Sequence, residues 1–251
     1  MPDTRSMEKL AIQCLQVSKT YGKTRVLDGV DLEVAEGRFF GLVGVNGSGK
    51  STMIKAILDL VSIESGSIAL FGRSHQKVSA RQQVAYLPDR FSPPVYLKCK
   101  EFIRYMLALY ASRQSDDDID AMLDALELDR KTMESPVGRL SKGMTQKLGI
   151  TSCLLSGRSL LILDEPMSGL DPRARVLFKR QLFRLKQQGV TLFFSSHVLA
   201  DVDELADRMG VLHKSRILYE GTPGKFRQTY EGDNLEDAYI NCIELAERPS
   251  V

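Results

Sequence analysis

No apolar stretch in this 251-residue chain approaches the roughly 20 residues that a helix needs to cross a bilayer. Apolar runs such as Leu160–Leu163 and Val190–Phe194 are far shorter, so no membrane span is expected. The start, Met1–Glu8, is polar and no apolar run follows it, so no secretory leader is expected either. Cysteine is scarce. Cys14, Cys99, Cys153 and Cys242 lie far apart, and none belongs to a CxxC pair. That spacing argues against a thiolate metal site and for reduced thiols in a cytosolic protein, three of the four buried as small apolar residues. A strong charge of one sign is also missing: the net charge is +2, and nothing in it demands a nucleic-acid partner. Repeats and low-complexity segments are absent. What remains is 43% hydrophobic and 26% charged, enough apolar material for a sizeable core in one large or two small domains.

Within this ordinary background, Gly44–Ser51 reads G-V-N-G-S-G-K-S and fits the phosphate-loop pattern G-x-x-x-x-G-K-[ST]. The apolar run Phe39–Val43 before it reads as a buried strand, and Thr52–Leu58 after it has helical apolar spacing. Gly44, Gly47 and Gly49 are expected to adopt backbone angles closed to other residues, so that successive N–H groups point into one concavity. The helix opening at Lys50 would aim its positive end there. Lys50 would add a full charge for the outer phosphates, and the Ser51 hydroxyl could ligate magnesium.

Strands are expected at Leu10–Val17 and Arg25–Val34, with a turn at Gly22-Lys23, forming an antiparallel layer. Further strands are expected at Ser67–Phe71, Gln83–Leu87, Leu160–Leu163, Val190–Ser195, Arg208–His213 and Arg216–Tyr219, the last two as a closing hairpin. Between about residues 98 and 157 the periodicity is helical. Phe102, Ile103, Met106, Leu107 and Tyr110 form one stripe, and Ile119, Met122, Leu123 and Leu126 another. Asp116–Asp118 follow Ser115, which makes that acidic run a helix start rather than a metal site. Helices are also expected at Ala174–Gln188 and Leu199–Ala206. The fold class is α/β: a core with a mostly parallel sheet, an antiparallel β layer and a helical insert. One domain is expected over 7–221, with the insert at about 98–157 and a short tail of one or two helices over 222–251.

The continuous apolar strand Leu160–Leu163 runs into Asp164-Glu165-Pro166. Carboxylates at the end of a central strand, beside a phosphate loop, suit magnesium binding by Asp164 and activation of a water by Glu165. Leu140-Ser141-Lys142-Gly143-Met144-Thr145-Gln146 by itself is a Ser-capped helix start. With Ser168-Gly169-Leu170-Asp171-Pro172 and His197 downstream, the set resembles the nucleotide-binding subunit of ATP-binding cassette (ABC) transporters, in order and spacing, over about residues 7 to 221.

The resemblance implies a P-loop NTPase core that binds ATP and Mg2+. Gly44, Asn46, Gly47, Ser48, Gly49, Lys50, Ser51 and Thr52 would form the Walker A loop, and Asp164 would be the Walker B carboxylate. Glu165 would be the catalytic base, His197 the switch histidine on the γ-phosphate, and Tyr21 the aromatic stacked on adenine. Ser141, Lys142 and Gly143 would belong to the signature motif, which completes the site of the opposite subunit in a homodimer. Asp171 would lie in the loop between sites. Lys142 stands where the family usually has glycine, Met144 where it has glutamine, and Asp89 where it has a metal- and water-sensing glutamine. The LSKGM form and the acidic residue are similar to cassettes of the ABC-2 export type. The implied partner is a separate integral-membrane permease at the cytoplasmic face of the membrane, with Phe91–Tyr105 near its docking groove. Two alternatives remain: a cassette acting on ribosomes or DNA, and a non-hydrolysing regulatory cassette.

Overall fold

The computed structural model describes residues 8–248. Met7, where the domain was expected to begin, and 249–251 of the expected tail lie outside the described residues. In chain order the strands and helices are β1 (Leu10–Tyr21), β2 (Thr24–Ala35), β3 (Phe39–Val43), α1 (Lys50–Ile57), β4 (Ser65–Leu70), β5 (Arg73–Ser74), α2 (Val78–Arg81) and β6 (Val84–Leu87). Then follow α3 (Cys99–Leu109), α4 (Asp116–Ala125), two 3-10 turns, α5 (Lys142–Leu154), β7 (Leu160–Leu163) and α6 (Pro172–Gln187). The chain closes with β8 (Thr191–Ser196), α7 (Leu199–Leu205), β9 (Arg208–His213), β10 (Arg216–Gly221), α8 (Pro223–Thr229) and α9 (Leu235–Glu247). The described residues form two compact units, one of residues 8–81 and 191–248, the other of Gln82–Val190.

In the first unit an antiparallel sheet has the order β2-β1-β4-β5. β1 runs to Tyr21, well past the expected end at Val17. The reason is Gln16, whose φ of 51 makes a bulge; the pairing with β2 shifts register between Cys14 and Val17, and the apolar alternation is lost there. A second set of strands is built on β3, which pairs in parallel with both β8 and β9, while β10 closes antiparallel on β9. Every residue of β3 and of β8 is buried, as strands covered on both faces require. The tail is two helices. Phe226 of α8 and Leu235, Ala238 and Cys242 of α9 are buried, and Phe226 packs on Tyr219 of β10.

In the second unit β6 and β7 pair in parallel, Leu87 opposite Leu163. The helical segment has its own core, in which Phe102, Ile103 and Leu107 of α3 meet Ile119 and Leu123 of α4 and Leu148 of α5. α4 begins as its acidic start implied: Ser115 Oγ accepts from the Asp118 N–H at 3.2 Å, and Asp118 accepts from the Ser115 N–H at 2.9 Å. Of the stretch expected near the docking groove, Phe91 and Leu97 are partly buried against this core, and Pro93 is buried. Val95 and Tyr96 stay exposed.

The tail helices are part of the first unit's packing, and this is testable. Phe226 is fully buried among Tyr219 and Tyr230. Phe226→Ala is expected to cost about 3–5 kcal/mol, measured as a shift of the urea unfolding midpoint at unchanged slope. A loss below 1 kcal/mol would make α8 a dispensable appendage.

Candidate functional site

β3 delivers the chain into the glycine loop, and the three glycines serve different needs. Gly47 (φ 83) and Gly49 (φ 114) lie in the left-handed region that disfavours any side chain. Gly44 does not, which corrects the expectation that all three are needed for their dihedrals. It is glycine for lack of room: a Cβ there would strike the Leu212 carbonyl oxygen and come to 2.5 Å from Ser48 Oγ. Leu212 comes from β9, far along the sequence, and no local signal marks it.

Lys50 opens α1, whose first turn holds no acidic residue, so the positive end of the helix is not offset from within. The lysine is buried, and its Nζ donates to the Gly44 carbonyl at 2.6 Å and to that of Val45 at 3.4 Å. Val45, Asn46 and Gly47 are exposed; Ser51 and Thr52 are half-buried. Ser48 Oγ is buried without a hydrogen-bond partner. A buried orphan hydroxyl, a lysine resting on main-chain carbonyls and an uncompensated helix end together fit a phosphate group. The Tyr239 hydroxyl of α9 is buried and comes up to the Val45 main chain of this loop. Sequence reasoning missed this neighbour.

Tyr21 ends β1 with about half its surface exposed, and the Lys19 ammonium sits 5.1 Å from its ring centroid. One ring face therefore already carries a cation. His197 is exposed and directly follows β8, whose last residue caps the turn: Ser196 Oγ accepts from the Val198 N–H at 3.0 Å.

In the second unit, β7 ends at Asp164 and Glu165. The Asp164 N–H donates to the Leu87 carbonyl at 2.8 Å, which continues the β6–β7 ladder and sets Asp89, two residues past Leu87, at the same strand-end edge. Asp164 is buried and Asp89 exposed. Burial pushes the Tyr86 hydroxyl up to about 12, and the charges of Asp164 and Asp89 push in the same direction, so both carboxylates lie within electrostatic reach of that one group. Glu165 has φ 49, a left-handed conformation that costs a non-glycine residue about 1–2 kcal/mol. Asp164, Asp89 and Ser51 each carry a hard oxygen donor of the kind magnesium takes. Among the described residues no group of three or more His, Cys, Asp or Glu is assembled in advance for a metal.

Ser141 is exposed at the N-cap of α5, where its Oγ accepts from the Met144 N–H at 3.2 Å. Lys142 is exposed too. Its aliphatic stem covers Gly169, whose missing Cβ would lie 3.4 Å from Lys142 Cε, and a Cβ on Gly143 would lie 3.1 Å from the Gly169 carbonyl. Asp171 caps α6, accepting from the Ala174 N–H at 2.8 Å. One turn into α5, Gln146 is buried and its Nε2 donates to the Pro166 carbonyl at 3.0 Å. A buried glutamine on an apolar helix was the sequence signal for this contact, and it went unread.

The crowding at Gly44 makes a clear test. Gly44→Ala is expected to lower folding stability by about 1–3 kcal/mol, the usual cost of overpacking, and to weaken ATP binding in titration calorimetry. Wild-type stability and affinity would show that Leu212 and Ser48 yield without cost.

Comparison with known proteins places these features. Residues 27–168 match the ABC transporter family. The lantibiotic transport ATP-binding protein SrtF of Streptococcus pyogenes is 33% identical over 240 residues, covering 95% of this chain and 99% of its own. The Nod factor export ATP-binding protein I of Sinorhizobium fredii is 34% identical over 227 residues, 88% of this chain and 65% of the relative. An uncharacterised ABC transporter ATP-binding protein of Synechocystis is likewise spanned for only 65% of its length. Among solved structures, an ATP-binding subunit of an ABC transporter is similar at a TM-score of 0.85 and 29% identity, over 93% of this chain and 99% of that one. An ATP-binding cassette solved as a dimer with ADP and Pi shares the fold at a TM-score of 0.76 and 21% identity, over 84% of this chain and 98% of that one. The match to the family over more than half the chain, and to SrtF along nearly the whole of both, means that this protein belongs to the ABC transporter family as an ATP-binding, ATPase component.

Proposed function

We propose that the chain is the energising subunit of an exporter, pairing with a second copy around two ATP molecules and driving a separate membrane permease. The observation that carries the reading is Glu165, a carboxylate held in a left-handed conformation beside buried Asp164 at the end of β7. In a family that consumes ATP, that residue is the group able to take a proton from an attacking water. Lys50 and the N–H groups of Gly47–Thr52 hold the phosphates, Tyr21 offers its open ring face to the adenine, and His197 contacts the γ-phosphate. Exposed Ser141 and Lys142, with half-buried Gly143 beside them, serve the nucleotide of the partner copy, and Asp171 lies in the loop between the two sites. Magnesium, held by Ser51 and Asp164 with Asp89 accepting from its water, would offset phosphate charge there.

Export is favoured by the likeness to SrtF and to the Nod factor protein, whose names assign them to lantibiotic transport and Nod factor export. No described helix is long and apolar enough to cross a membrane; the permease is assigned to a separate chain, with this subunit at the cytoplasmic face. Val95 and Tyr96, exposed between β6 and α3, are the residues we assign to permease docking.

Glu165→Gln keeps the shape of the side chain and removes the base. Steady-state phosphate release is expected to fall about 10²- to 10⁴-fold with ATP binding retained; turnover near wild type would assign the base elsewhere. In that same variant, ATP is expected to convert monomer to dimer on size exclusion, and Ser141→Arg to abolish the shift. A Ser141→Arg protein that still dimerises would overturn the shared-site reading.

A further inference from the structure

The backbone of Glu165 is held against two preferences. Its φ of 49 is left-handed, and Pro166 restricts the residue before it toward extended conformations. Such a conformation persists only where its surroundings hold it. Three hydrogen bonds surround it. The Asp164 N–H donates to the Leu87 carbonyl at 2.8 Å on one side, and the Ser168 N–H donates to the Glu165 carbonyl at 3.0 Å on the other. The third is the Gln146 side chain, whose Nε2 donates to the Pro166 carbonyl at 3.0 Å. Facing a carbonyl, the glutamine must present its NH2 group, so the direction of this bond follows from chemistry.

The first two bonds are main-chain to main-chain and belong to the strand ladder and the turn itself. Gln146 reaches in from another element. It is only 6% exposed, on the buried face of α5, one turn beyond the exposed Ser141 cap. The contact is reinforced next door, where the Lys142 stem covers Gly169 and Gly143 abuts its carbonyl. The first turns of α5 thus grip the segment Glu165–Gly169 at two points, its second residue and its last.

We propose that Gln146 is a positioning residue for hydrolysis: by holding the Pro166 carbonyl it keeps Glu165 in the left-handed conformation that aims its carboxylate at the attacking water. The proposal rests on Glu165 being the base. Gln146 is buried and its amide is engaged by the Pro166 carbonyl, so its removal is expected to act on turnover and not on binding.

Gln146→Leu removes the donor at similar volume. Its kcat for ATP hydrolysis is expected to fall roughly 10- to 100-fold, the penalty of a misplaced catalytic group, with the KM for ATP and the affinity for a non-hydrolysable ATP analogue within twofold of wild type. Gln146→Glu supplies a readout independent of packing. Only its protonated carboxyl can donate, so its kcat relative to wild type is expected to rise as pH falls. In a Glu165→Gln background, adding Gln146→Leu is expected to cause no further loss, because the two act through one group. A full additional loss, a pH-independent Gln146→Glu ratio, or an unchanged kcat in Gln146→Leu would each overturn the proposal while leaving Glu165 as base. Wild-type turnover in Glu165→Gln alone would instead remove the reading on which it stands.

Discussion

A buried ammonium is the constraint around which the phosphate loop is organised. Lys50 lies at the first position of a helix, near that helix's positive end, and is almost wholly removed from water. A charge there is tolerated only when hydrogen-bonded, and the carbonyls of Gly44 and Val45 accept from it. Those two carbonyls turn inward only if the loop folds tightly over the lysine. The tight fold brings Ser48 against Gly44, where the Leu212 carbonyl already leaves no room for a side chain, and carries left-handed backbone at Gly47 and Gly49. Incoming phosphate oxygens are better partners for an ammonium than neutral carbonyls. The arrangement therefore stores a cation ready to exchange one set of acceptors for another.

Much of this was legible in the chain, because the relevant signals are local. The run G-V-N-G-S-G-K-S between an apolar strand and a helix specifies its own geometry, and Ser115 before three aspartates specifies a capped helix start. Leu160–Leu163 reads as a covered strand because nothing polar interrupts it. What escaped depends on residues distant in sequence. The Leu212 carbonyl decides the identity of residue 44, and Gln146 reaches Pro166 across twenty positions. The bulge at Gln16 hid the second half of β1 by breaking the alternation on which a strand is recognised. Apolarity alone does not separate packing from docking: Phe91 and Leu97 pack, partly buried, against the helical core, while Val95, Tyr96 and Tyr105 of the same stretch stay exposed.

Local strain has collected where the chemistry is assigned. Glu165 adopts a conformation that its own side chain and the following proline both oppose, and the chain offsets this with hydrogen bonds from three directions. Glu127, another positive-φ residue, closes a helix at an exposed position, and its side chain meets the exposed Arg173. The difference separates a backbone outlier that closes a helix from one that, in the proposed mechanism, would orient the base.

The four cysteines carry a consequence of a practical kind. All are buried, two in each compact unit: Cys14 and Cys242 in the first, Cys99 and Cys153 in the second. Burial raises the thiol pKa at every one of them. Alkylating reagents attack the thiolate, so the native protein is shielded twice, by access and by ionisation. Each thiol reacts only when its surroundings open. The chain thus contains, without engineering, a pair of internal clocks for each unit, whose alkylation rates time the breathing of one unit separately from the other.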